Sequence, residues 1–350
     1  MTTTTLSEEL SLTSRAVERP AVQDWVPGVL QLRDAWFPVA HVTDVHESVS
    51  RRQVHSQPYY LWRAKGDLHA SEHRPDIAAA KRLPSTAFTM GTGDYPVMER
   101  YGYVWVWYGN PEKADESLVP DVPFLPREGG LPWYTRGTLR FDCCSALSLE
   151  NLLDLTHADF LHANVVGDEY SEDDRIEVQS TSETVTMIRH CKSKSVAPIM
   201  RWVGGVRAKY QDVRAVIHVH VRNSVALAYG RYTPGFHVPL FHPCVPESQD
   251  RCRLNFAMNT TAAPGPFRIL MPRAAYIVGP QDNIMVGPQS ARYAEPADRR
   301  DLHSRFDGAG TRYRFLMQQI ARRQQQGDFS FGADADPGRD VRELLGMPVL

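Results

Sequence analysis

From Trp36 to Gly109 the chain consists of short apolar runs, AWFPVAHV, YYLWRAKGDLHA and YPVMERYGYVWVWYG, broken by turn residues such as Lys65-Gly66-Asp67. Runs of this length and bounding predict strands and hairpins, hence an all-β module over residues 35–114. The stretch PEKADESLVPDVPFLPREGGLPW, crowded with Pro, Gly and charge, reads as a linker and puts the boundary near residue 115. A second unit, 115–350, opens with the strand-like TRGTLRFDCC, continues through alternating runs such as RIEVQSTSETVTMIRH and RAVIHVHVRN, and closes with the helical RYRFLMQQIARRQQQ. Strands with segregated helices make the chain α+β. Residues 1–34 read as a lead-in, its first fifteen or so residues disordered and its later part packed through Trp25 and Leu30.

With 350 residues and 42% apolar side chains, the chain can bury a substantial core, and a net charge of −2 with interleaved signs gives no footprint for nucleic acid or an anionic membrane. No uninterrupted apolar run is long enough to span a bilayer and the start lacks a signal-like pattern, so the expected location is the cytoplasm. The five cysteines, Cys143, Cys144, Cys191, Cys244 and Cys252, form no C-x-x-C pair, which argues against a disulfide framework or a closed zinc site. None lies in residues 1–142.

Chemistry concentrates in ENLLDLTHADFLHA, residues 150–163. Placed on one helix, Glu150, Asp154 and His157 share a face. His162 then falls about 140° around from His157, so both imidazoles reach one metal only if the helix ends or distorts between them. Two imidazoles and one carboxylate arranged facially leave open positions on a ferrous ion. A second pair, His218 and His220, shares one face of a strand without a carboxylate at matching spacing and reads as pocket-lining or solvent-facing.

The segment E-N-L-L-D-L-T-H-A-D-F-L-H resembles the mononuclear-iron motif of Rieske non-haem iron oxygenases, the terminal components of ring-hydroxylating and O- or N-demethylating systems. The resemblance implies iron on His157 and His162, an electron-relaying Asp154, and Asn151 near the metal. It further implies a third ligand from a helix after the last long strands, for which VGPQDNIMVGPQSARY supplies Asp282. Family segments there often read E-D-x-x-x-x-E-x-Q, whereas Gln281 precedes Asp282 here and Gly287 stands at the later Glu; Glu150 and Asp159 are the alternative carboxylates. The implied fold is a Rieske-like β domain followed by an antiparallel-sheet, helix-grip catalytic domain.

A Rieske centre needs a C-x-H loop and a C-x-x-H loop. At the first, this chain has Ser71-Glu72-His73-Arg74, and the run from Asp76 to Asp94 contains neither Cys nor His. The expectation is therefore Fe(II) without a [2Fe-2S] cluster, His73 being a relic. The implied reaction is hydroxylation, desaturation or demethylation of an organic small molecule with dioxygen. Electrons would come from a cluster-bearing homologue and its reductase within a homo- or hetero-trimer or hexamer, or from the substrate. Iron acting as a Lewis acid and a non-catalytic subunit remain the alternatives. The runs PGFHVPLF and FRILMPRAAYIV suit pocket or core equally and name no substrate.

Overall fold

A computed structural model of the chain describes residues 26–75, 95–167, 173–259, 263–293, 295, 301, 303–304, 306–332 and 340–348. Trp25 and the run 76–94, where the second cluster loop was sought, lie outside the described residues. Leu30 packs half-buried on the main core, as expected.

Six short strands build the N-terminal part. One sheet has the order β1 (Ala35–His41), β6 (Tyr103–Tyr108), β5 (Val97–Arg100); the other is β2 (Ser50–Val54), β3 (Gln57–Ala64), β4 (Asp67–Ser71). Its hairpins turn on two-residue loops with both residues at positive φ: His55-Ser56, Lys65-Gly66 and Tyr101-Gly102. That backbone matches the right-handed twist of the strands it joins.

The C-terminal part is a seven-stranded antiparallel sheet in the order β7-β13-β12-β11-β10-β9-β8. Its strands are β7 (Arg136–Phe141), β8 (Arg175–Ser180), β9 (Thr184–Ser195), β10 (Tyr210–His220), β11 (Val225–Thr233), β12 (His237–Ser248) and β13 (Arg251–Met258). In chain order the helices α1 (Ser145–Leu153), α2 (His157–Leu161), α3 (Pro198–Trp202), α4 (Gly265–Tyr293) and α5 (Gly308–Gln325) accompany it, and one face packs on α1, α4 and α5 through Leu149, Met187, Ile217, Phe256, Val286 and Leu316. The other face packs on an aromatic layer of the N-terminal part, where Trp36, Tyr103, Trp105 and Trp107 meet Val216, Leu227, Phe241 and Ala257. Strand alternation makes this two-sided core: Ile217 faces the helices and Val216 the aromatics.

The linker segment 111–133 is packed at several points along its length. Val119, Val122, Phe124, Leu125 and Leu131 are buried in the aromatic layer, so its prolines shape a packed connection. Among the described residues no helix is long and apolar enough to cross a membrane.

Candidate metal centre

The helix sought through residues 150–157 is broken. α1 stops at Leu153, and Asp154 closes it with φ −114° and ψ 83°, outside the helical region. A second helix, α2 (His157–Leu161), then starts on His157 and ends on His162 at φ −111°, ψ 16°. The helix thus ends between the two histidines, at Leu161, as convergence on one metal requires, and a further break lies before His157. Glu150 consequently does not share the face of His157: it is joined to Arg314 at 2.7 and 2.6 Å, on the α5 side.

The break is held from the sheet. Arg189 on β9 donates from Nη1 to the carbonyl of Leu155 at 2.8 Å and from Nη2 to Asp159 on α2, and its Nε reaches Asp174 at 3.0 Å. Lys194 lies 3.4 Å from both carboxylates. All four side chains are at least nine-tenths buried, so this balanced network, two cations against two anions, clamps α2 to the sheet.

On that scaffold His157, His162 and Asp282 converge, their ligand atoms all within 4.8 Å of one another. Asp282 Oδ1 lies 3.0 Å from His162 Nε2 and 3.4 Å from His157 Nε2, and it accepts the Asn151 amide at 3.0 Å. The far nitrogens are fixed too. His157 Nδ1 faces the main-chain carbonyl of Asp154, and His162 Nδ1 donates to Gln281 Oε1 at 2.9 Å. With Nδ1 protonated on both rings, the Nε2 lone pairs point inward, the tautomer that metal ligation requires. The Asp154 carboxylate turns away from His157 and accepts from the backbone N–H (3.0 Å) and hydroxyl of Thr156.

Burial alone would raise the Asp282 pKa, but the two imidazoles override it and hold the carboxyl well below the usual range. For His157 burial works downward, yet the hydrogen bond and charge of Asp282 raise the imidazole above its ordinary value. Two imidazoles and an ionised carboxylate on one side of a cavity are the donor set of a divalent iron site, and these residues fit one. Among the described residues no other group of three His, Cys, Asp or Glu side chains comes together in this way.

The site opens on a cavity of about 260 Å³. Its wall is the helix-facing set of each strand: Leu139 and Phe141 on β7, Leu254 and Phe256 on β13, Leu240 and His242 on β12, Ala228 and Gly230 on β11. α4 closes it with Met271, Ala274, Ala275, Val278, Gly279 and Asp282, one helical stripe at spacings of three and four. Sequence patterning therefore explains why Asp282 faces inward. His218 and His220 do not line the cavity. They lie on the opposite face of β10, where His218 bonds Thr186 Oγ1 at 2.8 Å, which corrects the expectation of a pocket-lining or solvent-facing pair.

In the N-terminal part, Ser71 ends β4 and its hydroxyl accepts the backbone N–H of His73 at 3.1 Å, while the His73 ring is exposed. The hydroxyl that stands at the expected thiolate position is thus used in a turn.

Sequence reasoning missed Arg189, Lys194 and Gln211 on the cavity wall, and took Gln281 only as a departure from the family pattern. The alternation Arg189, Cys191 was a usable signal for the first. Nothing in K-S-K-S announces the side on which Lys194 falls.

The family model described as the vanillate O-demethylase oxygenase C-terminal domain matches residues 141–323, just over half of the chain. A vanillate O-demethylase oxygenase subunit from Pseudomonas sp. (strain HR199 / DSM 7063) is 31% identical over 108 residues, covering 31% of this chain and 30% of that protein. The oxygenase component of dicamba O-demethylase from Stenotrophomonas maltophilia is 26% identical over 175 residues, covering 48% of this chain and 51% of the relative. These matched portions span a third to a half of the relatives' lengths. The crystal structure of dicamba monooxygenase bound to dicamba superposes with a TM-score of 0.70 at 19% identity, covering 85% of this chain and 99% of that one, and so shares the fold. With the matched region containing His157, His162 and Asp282, the chain belongs to the vanillate O-demethylase oxygenase family, and through it to the Rieske non-haem iron oxygenases.

Proposed function

We propose that the chain is the oxygenase component of a system that hydroxylates or oxidatively dealkylates a small organic molecule, with Fe(II) held by His157, His162 and Asp282. The observation that carries this is the convergence of those three side chains on the wall of an otherwise apolar cavity. Relatives named as O-demethylase oxygenases support removal of an alkyl group as the reaction class. Bound there, iron would supply dioxygen activation; the net change places one oxygen atom in the substrate and reduces the other to water with two electrons and two protons.

The chain's own residues prepare that chemistry. Asp154 O and Gln281 hold the two imidazoles in the ligating tautomer, and Asn151 fixes the carboxylate. His242, on the wall beside Asp282, is kept neutral by burial, which lowers its pKa to about 4. The apolar strands exclude water and orient the substrate.

This reading divides the chain at about residue 115 into a Rieske-like β part and an iron-binding part. It takes Ser71, in place of a cysteine, as grounds that the chain draws electrons from a cluster-bearing partner or from the substrate. Metal analysis should give about one iron per chain without inorganic sulfide; about two sulfides per chain would overturn the cluster-free assignment. Asp282→Ala should abolish iron binding, and single-turnover product formation by the reduced iron protein should accompany iron in the wild type. An iron-replete protein that yields no product with any small alkoxy-arene or alkylamine offered would leave a non-catalytic subunit as the reading.

A further inference from the structure

The polar end of the cavity owes its character to one extra residue in β9. Val213 pairs with Cys191, but Gln211 pairs with Lys194, so three steps on β9 answer two on β10. The bulge is at Ser193, at φ 50°, whose N–H is held by Asp212 Oδ1 at 3.0 Å. In an unbroken ladder residue 193 would face Gln211, and Lys194 would point to the other face of the sheet. The bulge instead brings Lys194 and Gln211 side by side onto the cavity wall, at the head of a row that continues through Val213, Ala215 and Ile217.

Charge on this wall is already balanced. Among the described residues its cationic side chains of the Lys or Arg type are Arg189 and Lys194, both paired with Asp159 and Asp174. An anion brought to this end, beside Gln211, would meet the Asp159 carboxylate and only cations that are already paired, and a buried unpaired charge is strongly disfavoured. Gln211 is different. It is 3% exposed, and of the buried polar side-chain atoms without a hydrogen-bond partner among the described residues, its Oε1 alone belongs to the cavity wall. Buried amides are normally hydrogen-bonded, so an acceptor left open beside a cavity points to a ligand donor.

We propose that Gln211 is a specificity-determining residue that accepts a hydrogen bond from a hydroxyl or N–H group of an uncharged, otherwise apolar substrate, and that the Arg189–Lys194–Asp159–Asp174 network excludes carboxylate substrates. The assignment deepens the oxygenase reading by naming the substrate class of the same cavity. It separates this chain from relatives whose named substrates, vanillate and dicamba, are acids.

The test is equilibrium dialysis of the full-length iron-loaded protein under argon, so that binding is read without turnover. The probes are a panel of alkyl- and alkoxy-phenols, their O-methyl ethers, and the matching benzoates. Phenols should bind about five- to tenfold more tightly than their ethers, the worth of one neutral hydrogen bond, and benzoates more weakly still. Gln211→Leu should bring the phenols down to the level of the ethers and leave ether binding unchanged. Because Gln211 Oε1 is buried without a partner among the described residues, the ligand-free melting temperature of Gln211→Leu should be equal to or above that of the wild type. Benzoates binding as tightly as phenols, a Gln211→Leu protein that keeps its phenol preference or melts markedly lower, or no phenol binding at all would each overturn the proposal. Failure of the oxygenase reading is seen separately, as iron-loaded protein that binds probes but gives no single-turnover product.

Discussion

His162 and Gln281 are joined through the imidazole Nδ1 and the side-chain Oε1 at 2.9 Å, so the residue preceding one candidate ligand sets the tautomer of another. Asp282 reaches inward from the same turn of α4, which makes Gln281-Asp282 a two-residue device that both orients His162 and completes the donor set.

Gln281→Leu should keep the fold and lower Fe(II) affinity about ten- to a hundredfold, the usual cost of losing a partner behind a ligating histidine. Gln281→Glu, which restores an acceptor, should return most of it. Competition against a colorimetric chelator measures both; equal affinities in all three proteins would show that the Gln281 bond does not orient the ring.

Removing Arg189 leaves Asp159 and Asp174 buried and frees the Leu155 carbonyl at the break between α1 and α2. Arg189→Met should therefore destabilise the protein by about 3–5 kcal/mol, the scale for opening a buried ion pair. It should also weaken iron binding, because the clamp holds His157. Urea unfolding combined with metal analysis would check this, and a stable variant with full iron would show that α2 is positioned by other contacts.

Asp154 grips Thr156 with its carboxylate and His157 with its main-chain carbonyl. Asp154→Asn leaves that carbonyl in place, so iron should stay bound. If a partner cluster feeds the site through this side chain, turnover with partner and reductase should stop while added hydrogen peroxide still gives product. Unchanged turnover in Asp154→Asn would remove the relay role.

Acid should unfold the protein earlier than its carboxylates alone require. His41 is buried against Gly137 O, and burial lowers its pKa to about 4; the same cause lowers His220 and His242 to about 4. A histidine whose folded pKa lies below its unfolded value of 6.5 favours the native state while neutral. Its contribution is present above pH 6.5 and is lost as pH falls from 6.5 toward 4, on the order of 1–3 kcal/mol for each fully buried ring. Melting temperature should fall steeply across that window, and His41→Gln should flatten the slope. A flat profile between pH 6.5 and 4.5 would contradict it.

Much of the frame was legible in the chain. Alternation marked β9 and β10, the Lys65-Gly66 turn marked a hairpin, and the two-histidine motif pointed to the place where His157, His162 and Asp282 converge, with Asn151 on Asp282. What was not legible depends on contacts distant in sequence. The helix break at residues 154–156 is imposed by Arg189, more than thirty residues downstream, and local propensity carries no trace of it. The bulge at Ser193 places a polar side chain at positive φ without a glycine to announce it. In the linker 111–133, proline and glycine counts carry no sign that Val122 and Phe124 are buried among tryptophans.

The two-sided sheet has a mechanical consequence. Ile217 shapes the cavity and its neighbour Val216 is seated among the N-terminal aromatics, so cavity and inter-unit contact share one backbone only a strand thick. A close-packed interior transmits displacement. Trimming Trp105 or Phe241 would shift the strands behind the substrate without touching it. The N-terminal part thus serves as a rigid backing plate for the reaction chamber, a duty that does not depend on carrying electrons and that would by itself keep such a part attached.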